Sequence, residues 1–264
     1  MCPSNSPNPY VALTPEDRAR ILSYGDLMLH SVAGRGPALE PGLLTDLLQV
    51  TLHGTSFSRK TALQVSSLLE QRSRAGLALL PEFQALPATA QLMVMQHNLP
   101  LVHRFRQALC LASPALSWRK LVEIFVGEER LRSCEENLPH DLSGKASPTR
   151  PLEYEDLLSS ASCNGRPDLQ QEHLDLAKQL ADSVDPEDKV QIILTALIIV
   201  FCPDFLDLRE RSAVEQTQMK FVLLLQSYLS SSCPTVGAAR LARTLMVPAI
   251  ARQIHGLARE RLFI

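Results

Sequence analysis

The sequence predicts an all-α fold, and three observations carry that prediction. Leu and Ala are abundant while Trp occurs once and Tyr four times, a palette of helix formers rather than the β-branched and aromatic residues of strands. Apolar residues recur at three- and four-residue spacing over long segments, the period of a helix with one buried face. Capping residues followed by Pro or an acid open several of these segments, as helix starts do. With 45% apolar and 20% charged residues, the 264-residue chain is expected to fold around one core.

The N-terminal residues 1–12 are rich in Pro and Asn and are expected to be a disordered segment. Thr14-Pro15-Glu16 signals a helix start: a capping hydroxyl, Pro at the first helical position and an acid in the first turn. That helix should reach about Val32 and stop at Gly34-Arg35-Gly36-Pro37. Residues 34–58 read as a long connection. Leu63, Val65, Leu69 and Leu77 mark a long helix over 58–80, and Pro81 and Pro87 punctuate the next stretch. Thr89 to Leu111 is apolar on nearly all sides, the pattern of a helix buried through a domain centre. Pro100 inside it predicts a kink or a break.

Residues 138–168 are expected to form a second long loop, and Val122 to Val126 is either a short strand or a helical turn. Regular helix returns over 169–183. Val184-Asp185-Pro186-Glu187-Asp188 then caps an apolar helix ending at Cys202-Pro203-Asp204. Long helices run from Arg211 to about Ser230 and from Val236 onward. No linker splits the chain into halves that could each own a core, so 13–264 reads as a single domain.

Composition also excludes function classes. A net charge of −2 argues against direct nucleic-acid binding, which uses visibly basic surfaces. The six cysteines (Cys2, Cys110, Cys134, Cys163, Cys202 and Cys233) have no zinc-ligand spacing, and free thiols in a reducing compartment are the expectation. The apolar run Ile192 to Cys202 is too short to cross a bilayer, and the N-terminus lacks the regions of a signal peptide. No phosphate loop, nucleophile elbow or HExxH motif occurs, so no catalytic residue, metal or cofactor is assigned and the chain is expected not to be an enzyme.

Three passages, in order, resemble the ligand-binding domain of nuclear receptors, closest in flavour to the group of the vitamin D, thyroid and ecdysone receptors. In Phe83 to Met95 the chain keeps Phe83, Leu86, Gln91, Val94 and Met95 of the family's signature, with Ala90 where Asp is usual. Val184-Asp185-Pro186-Glu187 leading through an apolar helix to Phe201-Cys202-Pro203-Asp204 is similar to a second family passage. Ser212 to Leu229, followed by Ala239-Arg240-Leu241-Ala242-Arg243-Thr244-Leu245, is similar to the helices through which receptors dimerise. The likeness covers roughly residues 58–110 and 169–264.

That resemblance implies a three-layered antiparallel helical sandwich of about ten helices, placed in the nucleus alone or in nucleus and cytoplasm both. Such a module regulates transcription with a lipophilic ligand in an apolar core cavity. The resemblance implies a ligand pocket with Leu69, Met95, Arg106, Cys110 and His255, and a coregulator groove with Ala78, Gln91 and Gln96. It also implies a dimer face with Arg240, Leu241, Thr244 and Leu245, serving a homodimer or a heterodimer with a retinoid X receptor-like partner. Each residue has a plainer reading. Arg106 either holds the polar end of a ligand or snorkels to solvent. His255 is either a ligand contact or a surface histidine, and Cys110 and Met95 are either pocket or core. Leu44-Thr45-Asp46-Leu47-Leu48 has the spacing of a coregulator motif, which a Leu-rich chain also produces by chance.

The chain departs from the family as well. Family members clamp a coregulator helix with a Lys and a Glu, because the unpaired backbone groups at a short helix's ends need charged partners. Aligned on Phe83, that Lys becomes Ala78 and a second basic position becomes Gln96, while the acid that aids dimer pairing becomes Leu101. The sequence stops at Arg261-Leu262-Phe263-Ile264, where the family continues into its activation helix, and it has no two-zinc DNA-binding module. The expectation is therefore a regulator in which repression or decoy dimerisation replaces activation, or a truncated product. A ligand-independent α-helical interaction scaffold is the alternative.

Overall fold

The computed structural model describes residues 13–25, 42, 43, 45, 59–112, 132–133, 167–204 and 208–262. Among the described residues the chain is mostly helical and contains no strand. The predicted N-terminal segment, the 138–168 loop apart from its last two residues, the 122–126 segment and most of 34–58 lie outside them.

α1 (Pro15–Gly25) begins as the sequence predicts. The Asp17 N–H donates to Thr14 Oγ1 at 3.0 Å, so the hydroxyl caps a backbone donor that otherwise has no helical partner, and the same hydroxyl donates to Asp17 Oδ2 at 2.8 Å. Ile21, Tyr24 and Gly25 are its buried residues. Gly25 lies so close to a later helix that a Cβ there would come within 2.3 Å of Ile193 Cδ1.

Next in the chain come α2 (Arg59–Leu77), α3 (Pro81–Gln84) and α4 (Ala88–Met93). Pro81 opens α3, and Pro87 is the N-cap of α4, positions where a missing N–H costs nothing. The helix then widens into a π-helical turn at Val94–Asn98 before α5 (Leu99–Ala112). The Leu99 N–H reaches back to the Val94 carbonyl, and Pro100, with no N–H, comes next. The irregularity that Pro100 predicts is thus a widened turn on its N-terminal side. The widening has a packing reason. Ala90, Val94, Asn98 and Val102 are all buried at four-residue spacing. An α-helix of 3.6 residues per turn would rotate that stripe by about 40° at each step.

α6 (Pro167–Ala181), α7 (Lys189–Val200), α8 (Leu208–Ser232) and α9 (Gly237–Leu262) complete the described helices. Asp188 caps α7 by accepting the Gln191 N–H at 3.0 Å. Every residue of α7 from Val190 to Val200 is buried, so this helix runs through the core. It packs against α1, α5, α8 and α9. The sequence expectation of a buried segment over Thr89 to Leu111 holds for α5, whose Leu101, Val102, Phe105, Ala108 and Leu109 are buried, and is corrected for α4 and the π turn. Leu92 is 61% exposed and Gln96 is exposed, so α4 and the π turn have a solvent face. The buried core joins α1, α5, α6, α7, α8 and α9 in one cluster.

The connection from α8 to α9 is tight. The Cys233 N–H donates to Leu229 O at 2.9 Å and the Gly237 N–H to Cys233 O at 2.7 Å. A Cβ on Gly237 would meet Leu229 O at 2.5 Å, which explains the glycine. Phe201 stacks on Phe221 of α8 at 5.5 Å between centroids, and Tyr24 meets the same ring edge-on at 6.4 Å, tying α1 and the end of α7 to α8.

Candidate functional site

Hydrogen bonds draw the first candidate face together. Gln91 donates from Nε2 to Leu86 O at 2.9 Å and to Gln84 O at 3.3 Å, so this side chain staples the turn between α3 and α4. Gln84 in turn donates to Ala78 O at 2.9 Å, closing one of the open carbonyls at the end of α2. Around this chain of contacts Ala78 and Gln96 are exposed, with Leu79 and Leu92 as exposed large apolar residues. Phe83 and Leu86 are buried beneath. The result is an apolar surface whose helix end is capped by an uncharged amide. Tyr24 donates to Glu82 Oε1 at 2.9 Å nearby, and burial followed by the glutamate pushes its phenol up to about 12.

The proposed pocket residues are placed unevenly. Met95 is half-buried against the core. Arg106 on α5 and His255 on α9 are both half-buried, on helices that pack against each other and against α6. The Leu69 and Cys110 side chains fall outside the described residues. Sequence reasoning missed His103, one turn before Gln107 on α5. Burial, then Arg106 and Arg104, pull its imidazole down to about 3, so it is neutral at any physiological pH. Its Nε2 is buried without a hydrogen-bond partner among the described residues. His173 on α6 is another buried histidine.

The four residues proposed for a dimer face do not share one. Leu245 is 41% exposed while Thr244 is fully buried, the two pointing about 100° apart around the helix. Leu241 is half-buried and packs on the core. Thr244 accepts from Gln191 Nε2 at 2.9 Å and donates to its own helix at Arg240 O. Arg240 is also turned inward. Its guanidinium bonds Gln191 Oε1, reaches Cys233 Sγ at 3.1 Å and pairs with Asp185 at 3.3 Å and Asp188 at 3.5 Å. Tyr228 donates to Asp188 Oδ1 at 2.9 Å, and burial with that carboxylate raises its phenol. Arg240 and Thr244 therefore fasten α9 to the start of α7. The outward apolar residues of this region are Leu245 and Met246 on α9 and Met219 and Leu223 on α8.

Two grooves open to solvent lie along the seam of α6 and α9. One, about 450 Å³, is lined by Asp175, Lys178, Asp182, Arg243, Met246 and Ile250. The other, about 640 Å³, includes Glu172, Gln253 and Leu257. Among the described residues no group of His, Cys, Asp or Glu is placed to hold a metal ion. No described helix is long and apolar enough to cross a membrane. No family model matches the chain, and no curated protein matches it.

Proposed function

We propose that this chain is a regulatory module of the nuclear receptor ligand-binding type, acting in the nucleus on transcription through a lipophilic small molecule and partner proteins rather than by catalysis. The observation that carries this reading is what the signature residues do. Phe83 and Leu86 are buried anchors, Gln91 staples the turn between them and α4, and Val94 faces the core. The all-α architecture and the order of the capped, wholly buried α7 and the long α8 and α9 support it further.

The ligand is assigned to the region where α5, α6 and α9 meet, with Arg106 and His255 as its polar contacts and Met95 as a wall. A cavity for such a ligand is mostly apolar with a few orienting polar groups. The partner face is the Ala78, Gln91 and Gln96 surface. With an alanine and a glutamine where the family places basic residues, it favours an apolar partner helix held without a charged clamp. Receptor-type pairing, with a second copy or with a retinoid X receptor-like chain, is assigned to the exposed edge of α9 at Leu245.

A ligand-independent helical scaffold is the second reading. It is favoured by the exposed Met219, Leu223, Leu245 and Met246 on α8 and α9, which serve protein contact without any pocket. Titration with a fluorescent polyene fatty acid separates the two. Saturable one-to-one binding that Arg106→Leu weakens at least tenfold, with an unchanged unfolding transition, supports the receptor reading. No saturable binding supports the scaffold, and loss of folding in Arg106→Leu makes that arginine structural.

A further inference from the structure

The end of α7 is held from the π turn, from α8 and from α9. Asn98, at the last position of the π-helical turn, donates from Nδ2 to Val200 O at 2.8 Å and to Cys202 O at 2.7 Å. Gln218 of α8 donates to Ile198 O at 3.0 Å. Two residues beyond Cys202, Asp204 forms an ion pair with Arg252 of α9. The same guanidinium reaches Cys202 Sγ at 3.3 Å, and that thiol lies 3.3 Å from Asp204 Oδ2.

Asn98 is 2% exposed and its Oδ1 is buried without a hydrogen-bond partner among the described residues. A buried acceptor left open is a cost that an apolar side chain at this position would not carry. What the side chain supplies against that cost is the two bonds it donates. Those bonds depend on the widened turn, because the π geometry keeps position 98 on the inward stripe with Ala90 and Val94. Pro100 helps fix that turn in place. Without an N–H it cannot supply the helical bond that a regular turn would make to Gln96.

We propose that the stretch Val200 to Asp204 is a two-sided latch that couples the α4–α5 helix to α9: Asn98 grips it from the π turn, Arg252 grips it from α9, and loosening either grip loosens the other. The exposed Leu92 and Gln96 lie on the first helix and the exposed Leu245 and Met246 on the last. An occupant seated on one surface is thereby felt at the other, as a shift in the population of a shared element. The receptor-type reading supplies only the occupants. The coupling stands or falls without it.

Hydrogen exchange of the whole chain, followed by mass spectrometry, tests the latch in Asn98→Leu, Arg252→Gln and the double variant. Asn98→Leu should raise exchange tenfold or more both at 200–204 and in α9 around 249–256, with α1 unaffected. Arg252→Gln, which removes a half-buried side chain and is the variant safer for folding, should raise exchange at 94–99. The double variant should exceed neither single variant by much, since both open one element. Exchange changes confined to the helix that carries each substitution overturn the proposal. So do effects that simply add. If Asn98→Leu does not fold, unchanged exchange at 94–99 in Arg252→Gln is by itself sufficient to overturn it.

Discussion

Burial, with Arg106 and Arg104 close by, keeps the His103 imidazole neutral down to about 3, whereas an unfolded chain protonates it near its ordinary value of about 6.5. Acid therefore destabilises the fold through this residue. Above that ordinary value neither state holds the proton and the stability from neutral burial is complete. As the pH falls toward 3 the unfolded state alone binds the proton, and stability is lost at up to about 1.4 kcal/mol per pH unit, less to the extent that solvent reaches the half-buried ring. Urea unfolding at pH 7 and pH 5 should show a shallower loss in His103→Leu than in the unaltered chain, the other histidines being common to both. Parallel losses would place the sensitivity elsewhere. Thr244 makes the second residue-scale prediction. Thr244→Val removes the acceptor of the Gln191 amide and leaves a donor buried in the wholly enclosed α7. The expected destabilisation is about 1–3 kcal/mol by urea unfolding, and a cost below about 0.5 kcal/mol would mean Gln191 finds another partner.

At the scale of elements, helix starts were legible and helix environments were less so. Thr14 and Asp188 cap α1 and α7 as their sequence context predicts, and Pro81 and Pro87 open α3 and α4. Capping chemistry is local, so a few adjacent residues specify it. Which helix lies at the centre is a question of all its neighbours. The run through Leu92 and Met95 is as apolar as a core helix, yet Leu92 is exposed while α5 and α7 lie in the core. The inward turn of Arg240 and Thr244 was hidden for the same reason, because their partners Gln191 and Asp188 lie on a distant stretch of the chain. The π turn had only Pro100 as a sign, and Asn98 beside it carried no spacing signal for its role. Removing a cap should be costly here. Asp188→Ala takes away the N-cap, the Tyr228 acceptor and one partner of Arg240 together. It should cost more than the roughly 1 kcal/mol typical of a cap, and Thr14→Ala, at the exposed α1 start, should cost about that much. Equal losses in the two variants, read from thermal unfolding, would contradict the network around Asp188.

At the scale of the molecule, the all-α class and the order of the long helices were readable from composition and period. The candidate site was only partly so. Gln91 and Ala78 are joined through Gln84 by hydrogen bonds and Gln96 is exposed, while Thr244 lies in the core rather than on an outward face. Pairing through the exposed edge of α9 makes a prediction of its own. Leu245→Arg should lower self-association in sedimentation without altering the unfolding transition, and unchanged association would move the contact to another surface, such as Met219 and Leu223 on α8. The central claim is that the helical core holds a lipophilic molecule. Native mass spectrometry of the purified chain, before and after mild denaturation, tests it most directly. A co-purified species of a few hundred daltons, released on denaturation, is the predicted result for a cavity of this kind. A clean mass of the chain alone in both conditions, together with no uptake of the fluorescent fatty acid, would contradict it and leave a scaffold that works through its surfaces.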